Sequence, residues 1–170
     1  MTQPILAQVI LALGSNVGNA KENIDRAVAA LKNLGTVKEV SPYIISKPEG
    51  YSHQADFVNA VLIFNTPYAP MPLLKKLKAL EKELGRVPTF PNGPRVIDID
   101  ILFYDNLVLF EDDEEYSLFI PHPRIAEREF ILKPLSYILP EYIHPKLGQP
   151  IYMLYRKLIK KKGTPTCQIL

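Results

Sequence analysis

The sequence predicts an α+β fold: a ferredoxin-like antiparallel sheet with a βαββαβ core, helices on one face and a C-terminal extension. Three observations predict it. Two segments carry apolar residues at helical spacing, Ile24-Val28-Leu31 and Leu73-Leu77-Leu80-Leu84, and each lies between extended segments. The stretch from Val96 alternates, with Ile97, Ile99 and Ile101 at every second place and Asp98 and Asp100 between them. A chain of 170 residues supports one buried core and is short for two, so residues 1–170 read as a single domain.

Each element follows in order. Gln8 to Leu13 reads as a buried strand ending at Gly14-Ser15-Asn16. Asn19 caps the first helix, with Glu22 three residues on as its capping-box partner. Leu34 closes its inner stripe, and Gly35 fits a left-handed position after its end. Thr36 to Ile45 is extended, and Ser46 to Tyr51 is a loop broken by Pro48 and Gly50. Phe57 to Phe64 is the next strand, with Phe57 and Asn59 on one face and Val58 and Ala60 on the other. Pro72 suits the first turn of the second helix, and Gly85 ends it. A Pro-rich loop, Val87 to Pro94, leads into the aspartate strand. Asp105-Asn106 turns the chain into a short strand, Leu107 to Phe110, and the acidic run Glu111 to Glu115 reads as a solvated loop. Ile125 to Leu139 is helical with an interruption near Pro134. Tyr152 to Lys162 is the last helix, its basic end favourable to the helix dipole, and residues 163–170 read as a frayed tail.

The aspartate strand carries chemistry. Side chains two apart on a strand leave the same face, so Asp98 and Asp100 stand roughly 7 Å from each other, facing solvent, while the isoleucines enter the core. Two carboxylates at that spacing repel, and aspartate is depleted in strands. Bound Mg²⁺ removes the repulsion, because it takes hard carboxylate oxygens and keeps places for water and phosphate. Arg95, three residues before Asp98, suits an anion bridged by that metal.

Composition narrows the function class. The net charge of +2, with no basic patch interleaved with aromatics, argues against nucleic acid. The apolar run Val9 to Leu13 is too short for a signal peptide or a membrane span, which points to the cytoplasm and to no membrane partner. Cys167 is the only cysteine, so no internal disulfide forms. Cys167 to Leu170 matches a prenylation pattern, but the frayed tail is the preferred reading. With no apolar helix face unexplained, a monomer is expected.

The ordered motifs resemble a known family. They are Gly14-Ser15-Asn16, Pro48-x-Gly50, Gln54-x-x-Phe57-x-Asn59-Ala60-Val61, and Leu80-Glu81-x-x-Leu84-Gly85-Arg86. Then come Asn92-Gly93-Pro94-Arg95-x-x-Asp98-x-Asp100-Ile101-Leu102, Ile120-Pro121-His122-Pro123-Arg124 and Arg128-x-Phe130. Together they are similar to 6-hydroxymethyl-7,8-dihydropterin pyrophosphokinase, from about Val9 to about Gly148. The resemblance implies transfer of pyrophosphate from ATP to the hydroxymethyl group of a reduced pterin, with release of AMP, in folate biosynthesis. ATP is then a co-substrate, and Asp98 and Asp100 are implied to hold two Mg²⁺ ions.

The same resemblance implies the other roles. Arg95 contacts the phosphates and Arg86 assists transfer. Glu81, Ile101, His122 and Arg128 contact the nucleotide, Ile101 partly through its backbone. Phe57 and Phe130 stack on the pterin, Asn59 reads its amide edge, and Ser46 and Glu49 sit where backbone groups complete that reading. His53 and His144 match nothing catalytic and read as surface residues. The family often has basic residues in the loop after Arg86, where this chain has Pro88 and Pro91, and some members have Trp where Asn92 stands. That loop, which closes over substrates in the family, is therefore expected to be stiffer and less basic here.

Two other classes fit part of the pattern: a two-metal nucleotidyl-transferring enzyme on the same sheet, and a non-catalytic pterin- or nucleotide-binding module. The first predicts nucleotide chemistry with no pterin dependence. The second needs Phe57, Phe130 and Asn59 but neither aspartate.

Overall fold

One long strand, β4 (Phe57–Thr66), organises the molecule, and a computed structural model describes residues 3–170 around it. β1 (Ala7–Ser15) runs antiparallel along its whole length on one side. On the other side lie β2 (Thr36–Val40) and β3 (Ile44–Ser46), each paired with a different part of β4. The single extended segment expected over 36–45 is thus two strands. Ser41 divides them: its N–H donates to the Val61 carbonyl and its Oγ accepts the Val61 N–H, while Pro42 has no N–H to continue a ladder.

β5 (Asp98–Tyr104) pairs with the free side of β1 and forms one edge of the sheet. The order is β5-β1-β4-β3, all antiparallel, and the succession from β1 to β5 differs from the expected strand–helix–strand–strand–helix–strand by the division of the second strand into β2 and β3. The pairing shifts between Ile10 and Leu11, which face Phe103 and Ile101, so Leu102 is an extra residue in β5.

The two connecting helices, α1 (Ala20–Ala30) and α2 (Pro70–Glu83), pack on one face against Val9, Leu11, Leu13, Leu62, Phe64, Ile99 and Ile101. Burying each large apolar side chain there contributes about 1.5–3 kcal/mol. The Asn19 side chain accepts the Glu22 N–H at the start of α1, and Pro72 lies in the first turn of α2 as expected, with Pro70 at its first position.

The opposite face is covered too, a correction to helices on one face only. α3 (Glu129–Ile138) and α4 (Ile151–Lys162) pack there on Ile10, Val61, Ile63, Leu102 and Phe103. α3 runs through Pro134, which is buried inside it, so the expected interruption does not occur. The proline removes only one helical bond, the one to the Phe130 carbonyl.

Four further expectations are corrected. The returning strand lies later, as β6 (Leu109–Asp112), and pairs with β7 (Ser117–Ile120) in a separate hairpin, so part of the acidic run is strand. Residues 163–170 do not fray. Gln168–Ile169 form β8 on the edge of β3, and Cys167 is buried. Glu129 holds this tail: its carboxylate accepts from the N–H groups of Thr166 and Cys167, from Thr166 Oγ1 and from Lys162. Gly35 has no positive φ; a Cβ there would lie 2.2 Å from the Asn65 carbonyl oxygen, so the residue is small because α1's exit crosses β4 closely. His144 is buried rather than at the surface, and its Nδ1 accepts the N–H groups of Lys146 and Leu147 in a turn; His53 is exposed. Among the described residues no helix is long and apolar enough to cross a membrane.

Candidate active site

Three aligned residues set the floor of the site. Gly14 of β1 lies opposite Asn59 of β4 on one side and opposite Asp98 of β5 on the other. Residues directly paired across strands share a face, so Asn59, Gly14 and Asp98 form one row. Asp100 lies in a neighbouring row opposite Ala12. The glycine leaves that row open in the middle: a Cβ at Gly14 would lie 3.4 Å from Asn59 Oδ1 and 3.7 Å from Phe57 Cδ1.

Over this floor is a pocket of about 110 Å³. Asp98, Asp100 and Arg95 line one part of it, and Ser46, Glu49, Phe57, Asn59, Phe130 and Arg128 line the rest. The structure brings these sequence-predicted residues together. The aspartates do share a face, but they are half-buried under loops rather than open to solvent.

The loops are fixed by Asn16 and Gln54. Asn16 Oδ1 accepts the Arg95 N–H, its own N–H donates to the Arg95 carbonyl, and Nδ2 donates to Gln54 Oε1 and the Ala55 carbonyl. Gln54 Nε2 in turn donates to the carbonyls of Tyr51 and Asn92. Asn92 adopts a φ of 60°, which asparagine tolerates. Gly50 has a φ of 74°, and a Cβ on it would meet Asn92 Nδ2 at 2.8 Å. Tyr51 and Phe90 meet edge-on, 4.9 Å between centroids. The two pocket loops are thereby one connected unit.

At the aromatic end of the pocket, Asn59 Nδ2 donates to the Ile44 carbonyl and to Ser46 Oγ, at 3.3 and 2.8 Å. A carbonyl can only accept, so the amide orientation is set and Oδ1 is the atom offered to a ligand. Asn59 therefore presents an acceptor alone. Arg128 lies over the Phe130 ring, 5.5 Å from its centroid. Its Nε is buried with no hydrogen-bond partner, and the nearest charge is Glu49 Oε2 at 3.5 Å. An unused buried donor costs about 1–3 kcal/mol, which a ligand acceptor would recover.

At the acidic end, three cations surround Asp98. Arg95 Nη1 is 2.8 Å from Oδ2, while Arg86 Nη1 and Lys78 Nζ are 3.3 and 4.0 Å from Oδ1. Burial pushes the Asp98 carboxyl up, but Lys78, Arg95 and Arg86 outweigh it and hold it below the usual range. Asp100 goes the other way, pushed up to about 6 by burial and then by the like charge of Asp98. Lys78 and Arg86 are themselves raised, since the carboxylates outweigh the cost of their burial.

Arg86 reaches Asp98 because of how α2 ends. Gly85 takes a φ of 103°. The Arg86 N–H donates to the Glu81 carbonyl and the Gly85 N–H to the Lys82 carbonyl, which closes the helix and turns the chain back. Arg86 and Glu81 do not themselves line the pocket. Glu81 is 1% exposed, and its carboxylate accepts from Ile99 N–H, Lys78 and Arg86 at 2.8, 3.1 and 2.8 Å.

Ile101 also lies off the pocket, its side chain buried on the α1–α2 face. The Ile99 N–H and carbonyl bond outward to Glu81 and Lys78, so the backbone of Ile101, two residues on, faces the same open edge. His122 stands beside that edge, its N–H bonded to the Leu102 carbonyl. Its Nδ1 accepts the Arg124 N–H. Burial, then Arg128 and Arg124, push it down to about 4, so it is neutral near pH 7 with its proton on Nε2.

Sequence reasoning missed Lys78 and gave no role to Gly14, Asn16 or Gln54. A signal for Lys78 exists: Leu74, Lys78 and Glu81 form a helical row beside the apolar stripe, and Leu74 is buried.

The donor set suits a hard divalent cation. Two neighbouring carboxylates open to one pocket, and burial and then the like charge of Asp98 raise Asp100. Among the described residues no third acidic, histidine or cysteine ligand joins them in a metal-binding group. Water and phosphate would have to complete the coordination, as magnesium prefers.

The site is thus an antiparallel sheet carrying paired carboxylates and arginines beside a pocket with an aromatic and amide lining. Residues 10–140 match the family described as 7,8-dihydro-6-hydroxymethylpterin-pyrophosphokinase (HPPK), and the chain belongs to it. It is 39% identical over 167 residues to the 2-amino-4-hydroxy-6-hydroxymethyldihydropteridine pyrophosphokinase of Aquifex aeolicus, covering 97% of this chain and 99% of that one. It is 44% identical over 139 residues to the folic acid synthesis protein FOL1 of Dictyostelium discoideum, covering 82% of this chain but 20% of that one. A Plasmodium falciparum HPPK-DHPS structure superposes on 98% of this chain and 49% of its own, with a TM-score of 0.85 at 17% identity, which shows the shared fold. The chain thus spans about a fifth of the Dictyostelium relative and about half of the Plasmodium chain.

Proposed function

We propose that this protein transfers pyrophosphate from ATP to 6-hydroxymethyl-7,8-dihydropterin, giving AMP and the pterin diphosphate, with Asp98 and Asp100 as the ligands of two Mg²⁺ ions. The row Asn59–Gly14–Asp98 carries this reading. It sets an amide-edge acceptor and a metal-binding carboxylate two strand spacings apart, roughly 10 Å. That span suits a bicyclic ring with a one-carbon arm directed at phosphate.

The residues divide the work. Asn59 Oδ1 accepts from the ring's amide edge, and Phe57 and Phe130 flank its faces. Ser46 holds the Asn59 amide in place, and Glu49 lies at the rim beside Arg124 and Arg128. Arg128 gives its unused Nε–H to the nucleotide. His122 donates its Nε2–H to phosphate as a neutral group, and the Ile101 backbone edge meets the adenine. Arg95 and Arg86 hold charge developing on the transferred group. Glu81 acts on the nucleotide through Arg86 and Lys78, which it orients. When bound, the two magnesium ions would neutralise the triphosphate and help align it with the hydroxyl. The hydroxyl oxygen bonds to the β-phosphorus, the bond from that phosphorus to the α–β bridging oxygen breaks, and the hydroxyl proton leaves to solvent. Positioning and charge stabilisation supply most of the rate in such transfers.

The test is AMP release from ATP, which is expected only when the reduced pterin and Mg²⁺ are both present. AMP formed equally without pterin, or none at all, would end the proposal. Asp98→Ala and Asp100→Ala are each expected to remove most turnover.

A further inference from the structure

A cation already stands beside the aspartate pair. The Lys78 ammonium reaches it from α2, 3.7 Å from Asp100 Oδ1 and 4.0 Å from Asp98 Oδ1. It is also 3.1 Å from Glu81 Oε1 and donates to the Ile99 carbonyl at 3.3 Å. Lys78 is mostly buried, with its side chain 19% exposed, so solvent screens this charge weakly. Glu81, Asp98 and Asp100 are thereby matched in charge by Lys78, Arg86 and Arg95, three carboxylates against three cations.

A divalent cation gives up water reluctantly and needs net negative charge to bind well. A neutral site offers little to a free ion. The nucleotide's triphosphate restores the missing negative charge and supplies further oxygen ligands.

We infer that Lys78 is the resident counter-ion of the carboxylate pair, and that it makes metal loading conditional on nucleotide. Its ammonium holds three neighbouring carboxylates together before the substrates arrive. It also raises the concentration at which a free divalent ion enters. Lys78 is a positioning residue here, acting through Asp98 and Asp100. The inference rests on the proposed reading of those two residues as metal ligands.

Binding of Mn²⁺ to the full chain, followed by electron paramagnetic resonance, tests this with and without a non-hydrolysable ATP analogue. The unmodified protein is expected to bind Mn²⁺ well with the analogue and weakly without it. A charge at 4 Å changes a carboxylate's affinity for a competing cation by about tenfold or more. Lys78→Gln is therefore expected to bind free Mn²⁺ about tenfold more tightly, and Lys78→Arg, which keeps the charge, to behave as the parent. Lys78→Met serves the same purpose if the glutamine variant does not fold. Tight Mn²⁺ binding by the unmodified protein without nucleotide, or an unchanged affinity in the neutral variants, would overturn the counter-ion role alone. No Mn²⁺ bound even with the analogue would instead remove the metal reading of Asp98 and Asp100. A neutral variant that folds only with Mn²⁺ and analogue supports the inference. Neutral variants that fold under neither condition would show Lys78 to be a structural tie, and would overturn it.

Discussion

Truncating Glu81 to alanine separates a supporting role from a direct nucleotide contact. Its carboxylate is almost wholly buried and accepts three hydrogen bonds, from the Ile99 N–H, Lys78 and Arg86. Removing it strands the Ile99 N–H at the sheet edge, at about 1–3 kcal/mol for an unsatisfied buried donor. It also breaks a buried ion network, where loss of one partner costs about 3–5 kcal/mol in all. For a chain of this size each kcal/mol moves the melting temperature by about 2–4 °C. Glu81→Ala is therefore expected to lower it by roughly 6–20 °C. AMP release measured well below that temperature should show kcat reduced, because Arg86 loses the group that aims it at Asp98. Glu81→Gln should fall between, since its oxygen can serve Ile99 while its NH₂ faces Arg86 donor to donor. A Glu81→Ala protein melting within about 2 °C of the parent, with only KM for ATP changed, would refute this and make Glu81 a direct ligand.

Three further outcomes are expected. Gly14→Ala should keep the melting temperature, because its methyl meets Asn59 and Phe57 at ordinary contact distances. It should raise KM for the pterin by about 10–200-fold, the usual effect of one carbon of misfit, and leave KM for ATP nearly unchanged. Asp100 must be ionised to take metal, and its carboxyl is raised to about 6. At limiting Mg²⁺ the acidic limb of kcat/KM should lie near that value, and it should move to lower pH as Mg²⁺ rises and displaces the proton; a limb that ignores Mg²⁺ would count against the assignment. For Glu129, burial is outweighed by Lys162 and the Cys167 and Thr166 donors, so the carboxyl falls from 4.5 to about 2, worth about 3 kcal/mol. A depressed carboxyl stabilises fully above its unfolded value. Glu129→Gln should thus melt roughly 6–12 °C lower at neutral pH, with the difference from the parent shrinking as pH falls from about 4.5 toward 2 in thermal melts.

Features encoded by near neighbours were legible in the sequence. The alternation from Ile97 to Ile101 placed Asp98 and Asp100 on one face, and the leucine stripe placed α2 on the core. The Asn19 cap and the Gly85 stop depend on residues within one turn. Features set by distant pairing were not. The tail looked free because Glu129, which holds Thr166 and Cys167, lies 37 and 38 residues away. His144 looked exposed because its turn and its edge-on contact with Phe103 belong to different segments. The covering of the second sheet face by α3 and α4 was hidden in the same way, since only their packing on Ile10, Val61 and Phe103 shows where they dock.

The site repeats this division at closer range. Phe57, Asn59, Arg95 and the aspartates stand out by residue type and spacing, and all of them line the pocket. Gly14 does not, because its contribution is an absent Cβ, and that matters only when β4 and β5 flank it in register. Asn16 and Gln54 act through bonds to Arg95 and Asn92, 79 and 38 residues away, so their polar side chains look ordinary in sequence. Lys78 is concealed by its own helix, where a lysine three residues before a glutamate reads as a surface pair. Only the docking of α2 on β5 shows that this pair faces inward, onto the Ile99 backbone and the aspartates. The side chains that line the pocket can thus be read from the chain, whereas the groups that space, orient and charge-balance them depend on the fold.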